Sequence, residues 1–109
     1  MHQVSTVATN DGASASPEGA HQDGDDFSVT ALVVERRDII GGESIVLNRP
    51  AAGQEQKYLE FTLQPGQALF QADKNTNLWH DVTRVFHDST KSSSIGVRNI
   101  FGFDINVIE

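Results

Sequence analysis

The chain has 109 residues, enough for one small domain with a thin core, and no cysteine, which excludes disulfides and thiolate metal sites. Fifteen acidic against eight basic side chains leave a net charge of −7, which argues against nucleic acid or an anionic membrane as partner, because their phosphates would be repelled. No run approaches the roughly 18 apolar residues of a transmembrane helix, and Met1-His2-Gln3-Val4 lacks the basic-then-apolar layout of a secretion signal, so a soluble cytoplasmic protein is the default expectation.

Val4 to Ala8 is β-prone but short. Asn10 to Ala20 is rich in Gly, Ser, Ala and Asp and reads as a loop. Phe27 to Glu35 carries a strong strand signal. Gly41-Gly42 reads as a turn, Ile45 to Leu47 as a strand, and Asn48 to Gly53 as a hairpin-like loop. Tyr58 to Leu63 alternates as a strand does, Pro65-Gly66 turns the chain, and Ala68-Leu69-Phe70 begins another short strand. Trp79 to Phe86 alternates polar and apolar residues, Lys91 to Ser94 is a polar loop, and Ile95 to Ile108 is a long β-type run with a bend expected at Gly102. No stretch keeps amphipathic helical spacing over three turns. About six or seven short strands between Gly and Pro turns indicate an all-β sandwich or barrel, with a jelly roll compatible.

Four histidines are the candidate metal ligands. His21-Gln22-Asp23 is a His-x-Asp pair just before an apolar strand, and in extended chain residues i and i+2 point to the same side, so one ion can take both side chains. His80, in Leu78-Trp79-His80-Asp81-Val82-Thr83, would come from a different strand. Two imidazoles and one carboxylate form the facial triad of non-haem Fe(II) oxygenases, which leaves one face of the metal open. The bland alternative is a polar histidine in a Gly/Asp-rich loop, since motifs this short match by chance. His87 is the rival to His80, and His2 sits at a chain end. Asp25 and Asp26 read as solvated loop or strand-start residues. Arg98, inside the last apolar run, needs either a wet strand face or an anionic partner, and its planar fork suits a carboxylate.

At this point the sequence resembles the C-terminal, metal-binding half of the bacterial and fungal 2-oxoglutarate/Fe(II) dioxygenase family that includes L-isoleucine hydroxylases. The resemblance rests on Pro17-Glu18-Gly19-Ala20-His21-Gln22-Asp23-Gly24, Ile40-Gly41-Gly42-Glu43-Ser44, Leu63-Gln64-Pro65-Gly66-Gln67-Ala68-Leu69-Phe70, Leu78 to Thr83 and Arg98-Asn99-Ile100-Phe101-Gly102-Phe103-Asp104, in that order. It implies a double-stranded β-helix (a cupin-like jelly roll). It implies His21, Asp23 and His80 as iron ligands, with no catalytic residue beyond them, and Arg98 as the holder of the distal carboxylate of 2-oxoglutarate. Arg84 and the Arg36-Arg37 pair are the next candidates for that last role.

The implied activity is an Fe(II)- and 2-oxoglutarate-dependent dioxygenase using O2 to hydroxylate a small molecule, with a free amino acid as the expected substrate. Asn99-Ile100 after the arginine departs from the Arg-x-Ser pattern common in the superfamily, and the stretch from His80 to Arg98 is long. Relatives are usually longer, so residues 1–109 are expected to form a single catalytic jelly roll that is incomplete, lacking its N-terminal half. Two other readings stay open: a non-catalytic cupin-like binding module, and a metal-independent β-sandwich interaction domain.

Overall fold

The computed structural model describes residues 2–15, 19–20, 22, 24–50, 53–72 and 74–108. Among them are nine strands and no helix: β1 His2–Ala8, β2 Phe27–Arg37, β3 Ile39–Gly41, β4 Ser44–Asn48, β5 Gln56–Phe61, β6 Ala68–Ala72, β7 Leu78–Val82, β8 Val85–His87 and β9 Gly96–Ile105. No helix of the described residues is long and apolar enough to cross a membrane.

The strands form a four-stranded sheet in the order β1-β9-β2-β6, a three-stranded sheet β5-β4-β7 and a two-stranded pair β3-β8, all antiparallel. Early strands pair with late ones in a nested way: β1 with β9, β3 with β8, β4 with β7. Only β4 and β5 pair as neighbours in sequence within these sheets. That nesting is the mark of a jelly roll, and the fold is all-β and jelly-roll-like, as the strand pattern predicts.

Period-2 alternation decides what faces inward. Arg98, Ile100 and Gly102 share the inner face of β9. Ile100 packs with Val33 of β2 and Leu63, joined by Phe61 of β5, Leu69 of β6 and Val4 of β1. A second cluster joins Ala8, Ala15 and Val85 to Val82 of β7 and Ile39 of β3. The two larger sheets therefore face each other across small apolar groups. The other face of the four-stranded sheet leaves Val7, Val34 and Phe70 exposed, with Phe27 and Phe70 stacked at 5.4 Å between ring centroids.

The structure differs from the expected elements in three places. The alternating run Trp79 to Phe86 is two strands in two sheets, because the chain turns at Thr83-Arg84 against Glu43 and Gly42: the Thr83 amide donates to the Glu43 carbonyl at 3.0 Å and the Gly42 amide to the Arg84 carbonyl at 3.1 Å. Gly41 belongs to strand β3 rather than to a turn. Gly102 lies inside β9 rather than at a break: it is buried, pairs with His2 at the end of the β1 ladder, and faces the irregular stretch of the β2 ladder between Val29 and Leu32. Asp25 and Asp26 are strand-start residues, half-buried rather than solvated. The Asn106 amide donates to Asp25 Oδ1 at 2.7 Å and the Val107 amide to Asp26 Oδ2 at 2.7 Å, which ties the start of β2 to the chain beyond β9.

Gly41 has φ +81°, and a Cβ there would lie 2.1 Å from the Arg84 carbonyl oxygen, whereas Gly66 has φ +88° and nothing within 4 Å. Both substitutions to Ala carry the left-handed strain, but only Gly41→Ala adds a backbone collision. Gly41→Ala is expected to cost about 1–3 kcal/mol more than Gly66→Ala. Urea midpoints of the two variants check this; equal losses would contradict the packing described.

Candidate functional site

Arg98 is the largest fully buried side chain of the described residues, 1% exposed. Its Nε, Nη1 and Nη2 all lack a hydrogen-bond partner among the described residues, and no described carboxylate forms an ion pair with it. A buried guanidinium without an acid is costly, and burial is the larger of two causes that push its pKa down to about 10. The second cause is the charge of Arg36. Such a group is stable only with an anion, and a planar fork of N–H donors fits a carboxylate.

The surroundings are shaped for that side chain. Thr6 of β1 is buried and lies opposite Arg98 in the ladder. Gly42, just before β4, approaches so closely that a Cβ there would stand 3.1 Å from Arg98 Cδ and 3.2 Å from its Nε. Ser44, two residues on, is 3% exposed with a buried, unpartnered hydroxyl.

His80 is buried on β7 and lies opposite Val46 of β4. Alternation puts it on the same face as Val82, which packs into the cluster between the sheets. Trp79 then takes the other face, where Arg49 stacks over its ring with Cζ 4.7 Å from the centroid, anchoring the strand.

His87 is also buried, but both of its ring nitrogens are engaged. Nδ1 lies 2.9 Å from Asn10 Oδ1 and Nε2 lies 3.2 Å from Ser93 Oγ, while the Ser93 hydroxyl donates to Asp38 Oδ2 at 2.7 Å. A metal would have to break that network, so its role is to hold the loop after β8. His21 and Asp23, the other two predicted ligands, lie outside the described residues. Gln22, between them in sequence, is described: its side-chain amide donates to the carbonyls of Thr76 at 3.0 Å and Leu78 at 2.8 Å, at the start of the strand that carries His80.

Sequence reasoning singled out His80 and Arg98, and both are buried on strand faces turned between the sheets. It missed Gln22, read only as the spacer of the His-x-Asp pair, and Ser44, whose position after Gly41-Gly42-Glu43 gave no chemical signal. Among the described residues no three His, Asp or Glu side chains group as a metal site.

The sequence profile of the 2OG-Fe dioxygenase family matches residues 1–104. The crystal structure of IDO from Bacillus thuringiensis superposes with a TM-score of 0.71 at 21% identity, over 94% of this chain and 41% of that one. A BsmA homologue from Methylobium petroleophilum PM1 superposes with a TM-score of 0.64 at 25% identity, over 87% of this chain and 35% of that one. The chain thus spans less than half the length of either structure, and the likeness to IDO is one of fold. No curated protein matches the chain.

Arg98 sets a stability test that needs no ligand. A cation whose folded pKa is lowered destabilises the fold at every pH below that value, and the penalty fades only as pH rises above about 10 towards the ordinary arginine range. The shift corresponds to about 3 kcal/mol at neutral pH. Arg98→Met is therefore expected to raise ligand-free stability by about 1–3 kcal/mol, evenly between pH 6 and 9. Urea unfolding across that range measures it; a loss of stability would show that the charge is already compensated.

Proposed function

Because this chain belongs to the 2OG-Fe dioxygenase family, whose cofactors are Fe(II) and 2-oxoglutarate, we propose that residues 1–109 form the jelly-roll catalytic domain of a dioxygenase that hydroxylates a small molecule with O2. The observation that carries the reading is Arg98, buried and without an acid among the described residues, in a family whose cosubstrate is a dianion. His21, Asp23 and His80 hold the iron, and Arg98 holds the far carboxylate of 2-oxoglutarate. When bound, iron and 2-oxoglutarate supply the oxidation: 2-oxoglutarate leaves as succinate and CO2, and the substrate gains a hydroxyl.

The chain's own part is positioning. The imidazole of His80 is buried on β7, opposite Val46 of β4 and with Trp79 on the other face of the strand. Gln22 fastens the segment between the other two ligands to the start of that strand. Arg98 orients the cosubstrate by its remote end, and Gly42 leaves the guanidinium room. The substrate class we assign is a free amino acid, in keeping with the family resemblance of the quoted motifs, and a cytoplasmic location goes with it. The net charge of −7 supports a small-molecule substrate over nucleic acid or an anionic membrane. A second reading is a cupin-like module that binds metal and 2-oxoglutarate through the same residues without turnover.

Anaerobic titration with Fe(II) and then 2-oxoglutarate tests the ligand set. His80→Ala is expected to abolish Fe(II) binding. Arg98→Ala is expected to leave Fe(II) affinity unchanged and weaken 2-oxoglutarate by about 10- to 150-fold, the worth of a charge-assisted bidentate contact. Equal 2-oxoglutarate affinity in both proteins would sink the Arg98 assignment. Succinate formation under O2 then separates the oxygenase from the non-catalytic module.

A further inference from the structure

Arg98 is not the only cation on its corner of the sheet. Simple alternation along β2 from Val33, which is buried, would turn Arg36 to the outer face. A bulge intervenes: Val33 lies opposite Ile100, Val34 is skipped, and Glu35 and Arg36 lie opposite Asn99 and Arg98. Opposite residues share a face, so the extra residue re-aims Arg36 inward, beside Arg98. The side chains agree with the register. Asn99 donates to Glu35 Oε1 at 2.6 Å on the outer face. On the inner face, a Cβ at Gly42 would stand 3.3 Å from Arg36 Nη1 as well as 3.2 Å from Arg98 Nε.

Two guanidinium groups are thus gathered around one glycine. Like charges side by side repel, and little offsets them. Among the described residues Glu43 is the acid whose charge supports Arg36; it forms no ion pair with it there, and it accepts the Thr83 hydroxyl. Arg36 spends one donor on the Gly41 carbonyl at 3.1 Å, and a guanidinium has five.

Resting on the reading of Arg98 above, we infer that Arg36 is a second arm of the same anion site, so that the far carboxylate of the cosubstrate is held between two guanidinium groups. Arg36 then sets the preference for a 2-oxo dicarboxylate over a 2-oxo monocarboxylate. It also supplies the polar contact that the superfamily's Arg-x-Ser pattern would give and that Ile100 cannot.

The test uses the full chain loaded anaerobically with Mn(II), comparing the affinities of 2-oxoglutarate and pyruvate, which lacks the far carboxylate. Arg36→Gln is expected to weaken 2-oxoglutarate about tenfold, the scale of one charge-assisted contact at a half-buried site. Pyruvate affinity should be unchanged, and Arg36→Lys should restore part of the loss. In the metal-free chain, succinate should raise the melting temperature of wild type more than that of Arg36→Gln. Equal loss for both oxo acids would overturn the inference and leave Arg36 a structural prop of the Gly41 carbonyl. So would unchanged 2-oxoglutarate affinity in Arg36→Gln beside a wild type that prefers the dicarboxylate; the role of Arg98 would survive that result. A wild type that does not distinguish the two acids would overturn both.

Discussion

The charge of Arg98, enclosed in the middle of β9 with no counter-ion among the described residues, is the constraint around which its surroundings are arranged. A buried guanidinium weakens the fold unless an anion meets it. Gly42 gives up a side chain where any Cβ would press on the arginine. The bulge at Val34 brings a second cation to the first instead of keeping it on the wet face. The flanking segments supply short buried side chains, Thr6 opposite Arg98 and Ser44 two residues after Gly42. Two cations turned to one face cost stability in the ligand-free chain and make sense as accommodation of a ligand, the usual relation between a site and its scaffold.

The two buried histidines show how the same residue type serves two ends. His87 is enclosed by partners from three segments, Asn10, Ser93 and, through Ser93, Asp38, and it locks the loop after β8 against the chain that follows β1. His80 lies on a strand face between the sheets, opposite the small side chain of Val46, with Trp79 and Arg49 stiffening the far side. Separating them by burial alone fails, since both are nearly inaccessible. Their places in the fold separate them: His87 faces Asn10 and the loop after β8, whereas His80 faces Val46 of β4.

Much of the architecture was legible because period-2 patterning and Gly/Pro turns are local signals: β2, β4, β5, β6 and β9 lie close to where alternation puts them. The short pair β3 and β8 was not legible. Three residues give too little pattern, and Val85 to His87 continues the alternation of β7 without a break, so only the turn against Glu43 reveals the split. His80 and Arg98 stood out by chemical type in apolar runs. The place of Arg36 did not, because a bulge leaves no mark in composition and reverses the face that counting assigns. Ser44 and Gln22 escaped for a related reason: their significance lies in atoms far away in sequence.

Gln22 matters beyond the proposed iron ligands it sits between. Among the described residues β7 pairs with β4 on one side only. The Arg49 amide donates to the Asn77 carbonyl at 2.7 Å, and in an antiparallel ladder the alternate carbonyls, those of Thr76 and Leu78, then point away from β4. These are the acceptors that the Gln22 amide takes. One side chain thus takes the place that a strand's amides would hold and blunts this edge of the three-stranded sheet. An unpaired edge is a template for joining another chain, and blunting it at β7 keeps the strand that carries His80 from serving as a seam for aggregation.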